Sequence, residues 1–230
     1  KGEFMSDLLV TISVWTLPLL LAITLHEAAH AWTAWKLGDN TAKSMGRVSF
    51  NPLVHVDPFG TVILPLLLLI TQTGFMFGYA KPVPVNFSRL NNPRRDMVWV
   101  AIAGPATNML LLLTAALLIN VLSFVPEFAV EWVGQNLVNM ILINAILAVF
   151  NMLPIPPLDG GRVAVGILPD ILARPLARLE QYGMLIIIMM LFVIPMAGRY
   201  IGLDLSVFQY IILPPVEVIL EFANKIAIAA

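Results

Sequence analysis

A chain of 230 residues with 59% hydrophobic and only 12% charged residues lacks the composition of a soluble domain, where about a quarter of residues are charged. The mean hydropathy of +0.88 and the long apolar blocks indicate an integral membrane protein with no room for a separate soluble domain of ordinary size. The net charge of −1 gives no reason to expect nucleic-acid binding, and the absence of cysteine excludes disulfides, thiolate ligands and a thiol nucleophile.

The first four residues, "KGEF", precede Met5 and are typical of a cloning remnant, so residues 1–4 are set apart from the fold. The stretch after Met5 has neither a basic amino-terminal region nor a small-residue cleavage site. It is therefore interpreted as a retained first helix and not as a signal peptide.

Apolar segments long enough to cross a membrane follow one another along most of the chain. A spanning helix needs about 20 mostly apolar residues. The pattern predicts an all-α polytopic membrane protein with about five to six membrane helices. The segments are 7–37, 60–77, 96–124, 130–153, 182–197 and 205–223.

Basic residues indicate which ends of these segments share a side of the membrane. Most of them fall after the first segment, before the 96–124 segment and after the 130–153 segment. The charged residues in the turn between the 96–124 and 130–153 segments are both acidic, Glu127 and Glu131. By the positive-inside rule the basic loops are cytoplasmic and that turn is external. The basic residues are Lys36, Lys43, Arg47, Lys81, Arg89, Arg94, Arg95, Arg162, Arg174 and Arg178.

The 60–77 segment would then begin and end on the cytoplasmic side, which predicts a re-entrant segment. Pro65 and Gly74 interrupt it, and broken backbone is tolerated at membrane depth where it is buried in protein or lines a wet cavity. The alternative is a full span that violates the charge rule. Two further stretches, 46–56 and 79–87, are interpreted as short β-strands near the cytoplasmic face, confined to edges because of Pro82 and Pro84.

The first helix carries the sequence "HEAAH", with His26, Glu27 and His30 near its carboxyl end. Positions i and i+4 share one helix face, so both imidazoles can bind one metal ion, and Glu27 can act as general base on a metal-bound water. Two histidines paired with neighbouring helices are the alternative. That alternative leaves unexplained an ionisable glutamate in a membrane helix, a feature that marks functional sites.

A catalytic zinc has three protein ligands and an open position, and without cysteine the third ligand must be His55 or a carboxylate. Asp159 in "NMLPIPPLDGGR" is the best candidate, although an ordinary Asp-Gly turn is equally compatible with the spacing. Asn151 could donate to an oxyanion or simply cap its helix. His55 could line the site or be a solvated loop histidine. Gly104, Pro105 and Asn108 in "AGPATN" are interpreted as helix packing.

The motifs "HEAAH", "GYAKPVPVN", "AGPATN" and "NMLPIPPLDGGR" occur in this order. Together they closely resemble the site-2 protease family of intramembrane zinc metalloproteases, in particular its compact prokaryotic members without PDZ or CBS domains. The resemblance covers roughly residues 21–166. It implies one membrane-embedded metalloprotease domain over 5–230, with a catalytic core at about 7–166 and C-terminal helices at 180–224.

The resemblance further implies that His26, His30 and Asp159 bind one zinc ion per chain, that Glu27 is the general base and that Asn151 positions substrate or stabilises the tetrahedral intermediate. It implies a multi-pass protein of a prokaryotic plasma membrane whose active site faces the cytoplasm. Its partners would be the lipid bilayer and transmembrane substrate proteins.

A substrate helix must unwind before its peptide bonds can be attacked, and an exposed strand edge could hold the unwound segment. Candidate substrate-binding residues lie in the two predicted strands: Val48, Phe50, His55, Val83 and Val85. A proteolytically inactive metal-binding scaffold is the main alternative. Two further alternatives are disfavoured. A metal transporter built from repeats would show a pair of symmetric broken helices, which the sequence lacks, and a di-iron desaturase would need more than the three histidines present.

Overall fold

The computed structural model describes residues 2–63, 66–67, 70 and 81–228. In these residues the chain is helical with irregular connections, and no β-strand occurs. The helices are α1 (Gly2–Lys36), α2 (Thr41–Ser44), α3 (Pro93–Ile119), α4 (Glu127–Asn151), α5 (Asp159–Ile167), α6 (Asp170–Arg178), α7 (Gly183–Ile188), α8 (Ile194–Tyr200) and α9 (Leu213–Ile228). Short 3₁₀ turns lie at Pro52–Val54, Phe87–Arg89, Leu122–Phe124 and Leu179–Tyr182, and π-helical turns at Pro58–Ile63, Met189–Val193 and Phe208–Ile212.

Within the described residues, four helical stretches are long and apolar enough to cross a membrane. They are Leu9–Lys36, Pro93–Ile119, Glu127–Asn151 and Asp170–Tyr200. This confirms the all-α, multi-pass character expected from the sequence. The last stretch is the least covered by protein, with 22% of its apolar window buried against 33% for each of the other three.

The described core lies between α3, α4 and the C-terminal helix α9. Its buried members are mostly alanine and branched aliphatic residues, which allow the helices to approach closely. They are Leu112, Ala115, Ala116, Ile141, Ala145, Ile212, Val216 and Ala223. Asn120 also donates from Nδ2 to the carbonyl of Ile226 at 3.2 Å, so α9 is joined to the end of α3.

Prolines near the carboxyl end of the chain do not stop the helices there. Pro195 lies in the first turn of α8, directly after the π-helical turn Met189–Val193, and Pro214 and Pro215 follow the turn Phe208–Ile212 in the same way. A π-helical turn shifts the hydrogen-bond register, and this accommodates residues that have no N–H to donate.

The two predicted strands are the main error in the expected fold. Stretch 46–56 instead contains the 3₁₀ turn Pro52–Val54, because the side chain of Asn51 accepts from the Leu53 amide and Pro52 starts the turn. Residues 81–86 have no regular secondary structure, and Tyr79 and Ala80 lie outside the described residues.

One backbone hydrogen bond, from Lys81 N to His55 O at 2.9 Å, joins these two stretches in the described part of the chain. A ladder needs a series of such bonds, and Pro82 and Pro84 cannot contribute to one. Most of the 60–77 segment, including Pro65 and Gly74, also lies outside the described residues, so its re-entrant course stays a prediction.

Candidate metal centre

The helix α1 places His26 and His30 on one face, one turn apart, and both side chains are buried. Their Nε2 atoms lie 3.0 Å from each other, with 7% of each residue exposed. Two nitrogen lone pairs at this distance repel each other, so the two imidazoles need a proton or a metal ion between them.

A third group, the carboxylate of Asp159, approaches the same point; Asp159 is the first residue of α5. Its Oδ2 atom lies 3.1 Å from His26 Nε2 and 3.3 Å from His30 Nε2. Gly160 and Gly161 make this approach possible, because a Cβ on either would overlap the backbone of Met152 or Pro156. The "DGG" sequence therefore serves close packing of α5 on the preceding loop, and an isolated turn would not require both glycines.

The other ring nitrogen of each histidine makes a hydrogen bond that selects one tautomer. His30 Nδ1 donates to the carbonyl of Val100 at 2.6 Å, and His26 Nδ1 donates to Asn108 Oδ1 at 2.6 Å. With both protons on Nδ1, both Nε2 atoms face Asp159 as acceptors.

Three acceptor atoms then converge with separations of 3.0 to 3.3 Å, and Asp159 Oδ2 is buried without a hydrogen-bond partner. A shared proton would remove the repulsion between only one pair of these atoms at a time. Tetrahedral zinc with ligand distances of about 2.0–2.2 Å holds its ligands about 3.3–3.6 Å apart, close to the separations seen here. The donor set and its spacing therefore fit a metal ion of this kind.

Asn108 was assigned to helix packing by the sequence, but the structure places its side chain against the site. It is fully buried, and its Nδ2 donates to Asn144 Oδ1 at 2.7 Å and to the carbonyl of Ala22 at 3.3 Å. Both donor positions are thus used, which leaves Oδ1 as the atom facing His26. Asn144 was also missed, and the signal available was a pair of amide side chains within apolar helices.

Gly104 of α3 provides the space for the two imidazoles. A Cβ at this position would lie 2.5 Å from His26 Cε1, His26 Nε2 and His30 Nε2. The rings cannot swing away without breaking their Nδ1 hydrogen bonds. This part of "AGPATN" is close packing, as expected, but the packing is directly against the candidate ligands.

Glu27 lies next to this cluster. One of its carboxylate oxygens is within 4.8 Å of the ligand nitrogens of His26 and His30, so these three residues also form a group able to hold a metal ion. Asp159 stays the predicted third ligand, since its Oδ2 lies 3.1 and 3.3 Å from the two Nε2 atoms. The Oε2 atom of Glu27 is already engaged, since it accepts from the Val83 backbone N–H at 2.7 Å.

Residues 81–86, here called the 81–86 segment, run along the carboxyl-terminal half of α1. Three hydrogen bonds hold the two ends of this segment. Lys81 donates to His55 O at 2.9 Å and accepts from Arg47 Nη2 at 2.7 Å, and the Asn86 amide donates to Asp39 Oδ2 at 2.7 Å. Together with the Val83 bond, these contacts fix the segment across the helix that carries Glu27.

Comparison with known proteins places the chain in a family. A model of peptidase family M50 matches residues 119–195. "Putative zinc metalloprotease YwhC" of Bacillus subtilis is 38% identical over 187 residues, which are 80% of this chain and 81% of that protein. "Putative zinc metalloprotease Rip2" of Mycolicibacterium smegmatis is 33% identical over 185 residues, 79% of this chain and 67% of that protein. No solved structure matches the chain.

The chain belongs to peptidase family M50, the site-2 protease family. Membership supports a membrane protease, and the four apolar helices agree with it. A shorter similarity, 44% identity over 64 residues, links the chain to "Putative zinc metalloprotease MJ0611" of Methanocaldococcus jannaschii and covers 28% of this chain and 31% of that protein.

The remaining candidate residues of this M50 protein are not drawn into the cluster. Asn151 donates within its own helix, to Leu147 O at 3.1 Å. Phe50 is 76% exposed and Val48 is half-buried. Val85 packs beside Ala34, Leu90 and Val100.

His55 is fully buried and not solvated as a loop histidine would be. Its Nε2 lies 2.9 Å from the carbonyl of Ser49, and its Nδ1 has no hydrogen-bond partner among the described residues. Burial, together with the nearby positive charge of Arg47, lowers the pKa of His55 from its usual value of 6.5. The imidazole is therefore held in its neutral form at the edge of the site.

Proposed function

We propose that this M50 protein is an intramembrane zinc metalloendopeptidase. The observation that supports the proposal best is the convergence of His26 Nε2, His30 Nε2 and Asp159 Oδ2 within 3.0 to 3.3 Å. A catalytic zinc requires three protein ligands of this kind and one open position, so this convergence supports the proposal.

In the proposed reaction His26, His30 and Asp159 hold one zinc ion, which when bound supplies an acidified water and polarises the carbonyl under attack. Glu27 lies within one water of the cluster, so its carboxylate accepts the proton of the attacking water and then gives it to the leaving amine. The Nδ1 bonds to Val100 and Asn108 keep both imidazoles in the orientation that this chemistry needs.

The substrates we propose are transmembrane segments of other proteins, unwound near the scissile bond. The residues that we propose to contact the substrate lie in the stretches 46–56 and 81–86: Val48, Phe50, His55, Val83 and Val85. Among the described residues, the amides of Lys81, Val83 and Asn86 are already used within the protein, and Pro82 and Pro84 have none. Val85 is then the backbone donor left in the segment for a substrate strand.

Asn151 ends the helix that precedes the Asp159 loop. In this proposal it positions the substrate carbonyl by exchanging its bond to Leu147 O for one to the substrate. We further propose that the site faces the cytoplasmic side of a plasma membrane, and the positive-inside rule applied to the basic loops supports this. Substrates with a helix-breaking pair near the scissile bond should be cleaved faster than uninterrupted ones.

The first test is bound metal in the purified protein, which needs no known substrate. We expect about one zinc per chain in the wild type and in Glu27→Gln, and loss of zinc in His26→Ala and Asp159→Ala. Glu27→Gln should then fail to cleave single-span substrates that the wild type cleaves.

A folded wild type without metal after zinc-replete purification would overturn the proposal. Zinc with no cleavage of any membrane substrate would favour an inactive metal-binding scaffold. Zinc retained by Asp159→Ala would keep the enzyme but exclude Asp159 as the third ligand, and Glu27 and His55 would be tested next.

A further inference from the structure

The bond between Glu27 and Val83 joins the candidate general base to a backbone group far away in the sequence. The two residues are 56 positions apart, and the Val83 N–H donates to Glu27 Oε2 at 2.7 Å. A hydrogen bond to an ionised carboxylate at this distance is short and charge-assisted. It engages one carboxylate oxygen and leaves the other for a water molecule.

The donor is fixed in place before any substrate arrives. Val83 lies between Pro82 and Pro84, and a residue before proline is restricted to extended backbone. The segment is also held at Lys81 by His55 and Arg47 and at Asn86 by Asp39. Neither proline can offer a replacement N–H, so a small shift of the segment would leave Glu27 without this donor.

We infer that the Val83 N–H is a positioning group for Glu27, so that the 81–86 segment belongs to the machinery that prepares the base. This inference rests on the proposed function. A glutamate side chain has several rotatable bonds, and a base must be held close to its productive geometry. The Val83 amide restrains the carboxylate at one oxygen, as a side chain from a neighbouring helix would otherwise have to do.

The same segment offers the Val85 N–H, two residues further on, to a substrate strand. Substrate docking and alignment of the base would then share one short piece of backbone. The two amides have different roles: the Val83 N–H acts on the chemical step through Glu27, and the Val85 N–H acts on substrate binding.

The contact itself can be tested without any substrate, by amide hydrogen exchange of the protein in detergent micelles followed by NMR. Glutamine can still accept a hydrogen bond, so Glu27→Gln should keep the Val83 amide protected. Glu27→Ala removes the acceptor and should accelerate exchange at Val83 about tenfold or more. The Asn86 amide, held by Asp39, is the internal control and should be unaffected in both variants. Equal protection of Val83 in Glu27→Ala and wild type would overturn the inference.

The functional test replaces single amides by esters, using α-hydroxy acids incorporated during cell-free synthesis. An ester at Val83 deletes the N–H and keeps the side chain, and should lower kcat about tenfold or more with unchanged zinc content. An ester at Val85 should instead raise KM with kcat within about twofold. Both are measured on a single-span substrate with a Gly-Pro pair that the wild type cleaves.

Wild-type kcat in the Val83 ester would overturn the positioning role alone. A wild type that cleaves no membrane substrate would overturn the proposed function, and the positioning role with it. Loss of zinc from the Val83 ester would also count against the inference, because it would make the bond a structural one.

Discussion

The two sides of this site are held by different means. On the helical side, His26 and His30 are fixed by partners on α3, one of them the side chain of Asn108. On the other side, the 81–86 segment is held through its backbone, by the carboxylates of Glu27 and Asp39. The helical side should therefore be sensitive to the identity of many side chains. The segment should be sensitive to the loss of its acceptors and N–H groups.

This difference matches the roles that the proposed function gives to the two sides. Ligands of a metal ion must keep their positions within a few tenths of an ångström, and packed helices provide this. A strip that receives substrate must present backbone groups, and irregular backbone at the membrane is tolerated only where its polar groups are satisfied or wet. Substitutions on each side test whether the two sides differ in this way.

The largest effect is expected for Gly104→Ala. The added methyl group would lie 2.5 Å from both imidazoles, which are held by their Nδ1 bonds, so the ligand triangle must open. Zinc affinity should fall about a hundredfold or more, measured by competition with a chromogenic chelator. Gly134→Ala on α4 is the matched control, because its nearest neighbour would be Leu122 Cδ1 at 3.7 Å, and it should bind zinc normally. Normal affinity in Gly104→Ala would show that the rings are free to move.

Asn108→Leu should weaken zinc binding by about tenfold to a hundredfold, because it removes the acceptor that fixes the His26 tautomer. Asn144→Leu acts one step further out, on the orientation of Asn108, and should have a smaller effect. The same chelator competition measures both. Equal losses would contradict an orienting chain that runs from Asn144 through Asn108 to His26.

On the segment side, Asp39→Ala should destabilise the protein by about 1–3 kcal/mol, since the backbone N–H groups of Asn86 and Thr41 lose the buried carboxylate that accepts from them. Asp39→Asn keeps one acceptor oxygen and should cost less. Thermal unfolding in detergent measures both, and zinc affinity should change less than in Asn108→Leu. A large loss of zinc in Asp39→Ala would erase the distinction between the two sides.

The same carboxylate gives a dependence on pH. Burial raises the pKa of Asp39, but hydrogen bonds from Thr41 and the Asn86 amide outweigh it and hold the pKa below its usual 3.8. The folded state therefore binds this proton less readily than the unfolded chain. The stabilisation is complete above about pH 4 and is lost as pH falls through the folded pKa. Wild type should lose more stability than Asp39→Asn between pH 6 and pH 3.

The smallest effect is expected for Val85→Ala, at about 1 kcal/mol or less, because the side chain is half-buried beside Ala34, Leu90 and Val100. Thermal unfolding again provides the measurement. A cost above about 2 kcal/mol would mean that side-chain packing, and not the backbone contacts, holds the segment.

Sequence reasoning was successful where the pattern is local. Helix periodicity predicts that His26 and His30 share one face, and four of the six expected apolar segments coincide with long apolar helices among the described residues. The segment 205–223 does not, and most of 60–77 lies outside the described residues. Sequence reasoning was wrong about the strands at 46–56 and within 79–87. Short alternation and β-branched residues favour a strand, but Asn51 and Pro52 form a turn, and the two prolines of the 81–86 segment remove the donors that a ladder needs.

By itself, then, the sequence determined a multi-pass helical protein of the site-2 protease family with a histidine pair and a glutamate on one membrane helix. The family resemblance already implies Asp159, but only the tertiary structure brought Asn108 and Val83 to the site and showed how all three distant groups reach the first helix. Asp159 reaches both imidazoles because two glycines let α5 approach, Asn108 meets His26 across 82 residues, and Val83 meets Glu27 across 56. A local periodicity carries no information about such contacts, because they depend on how separate helices and loops pack against one another.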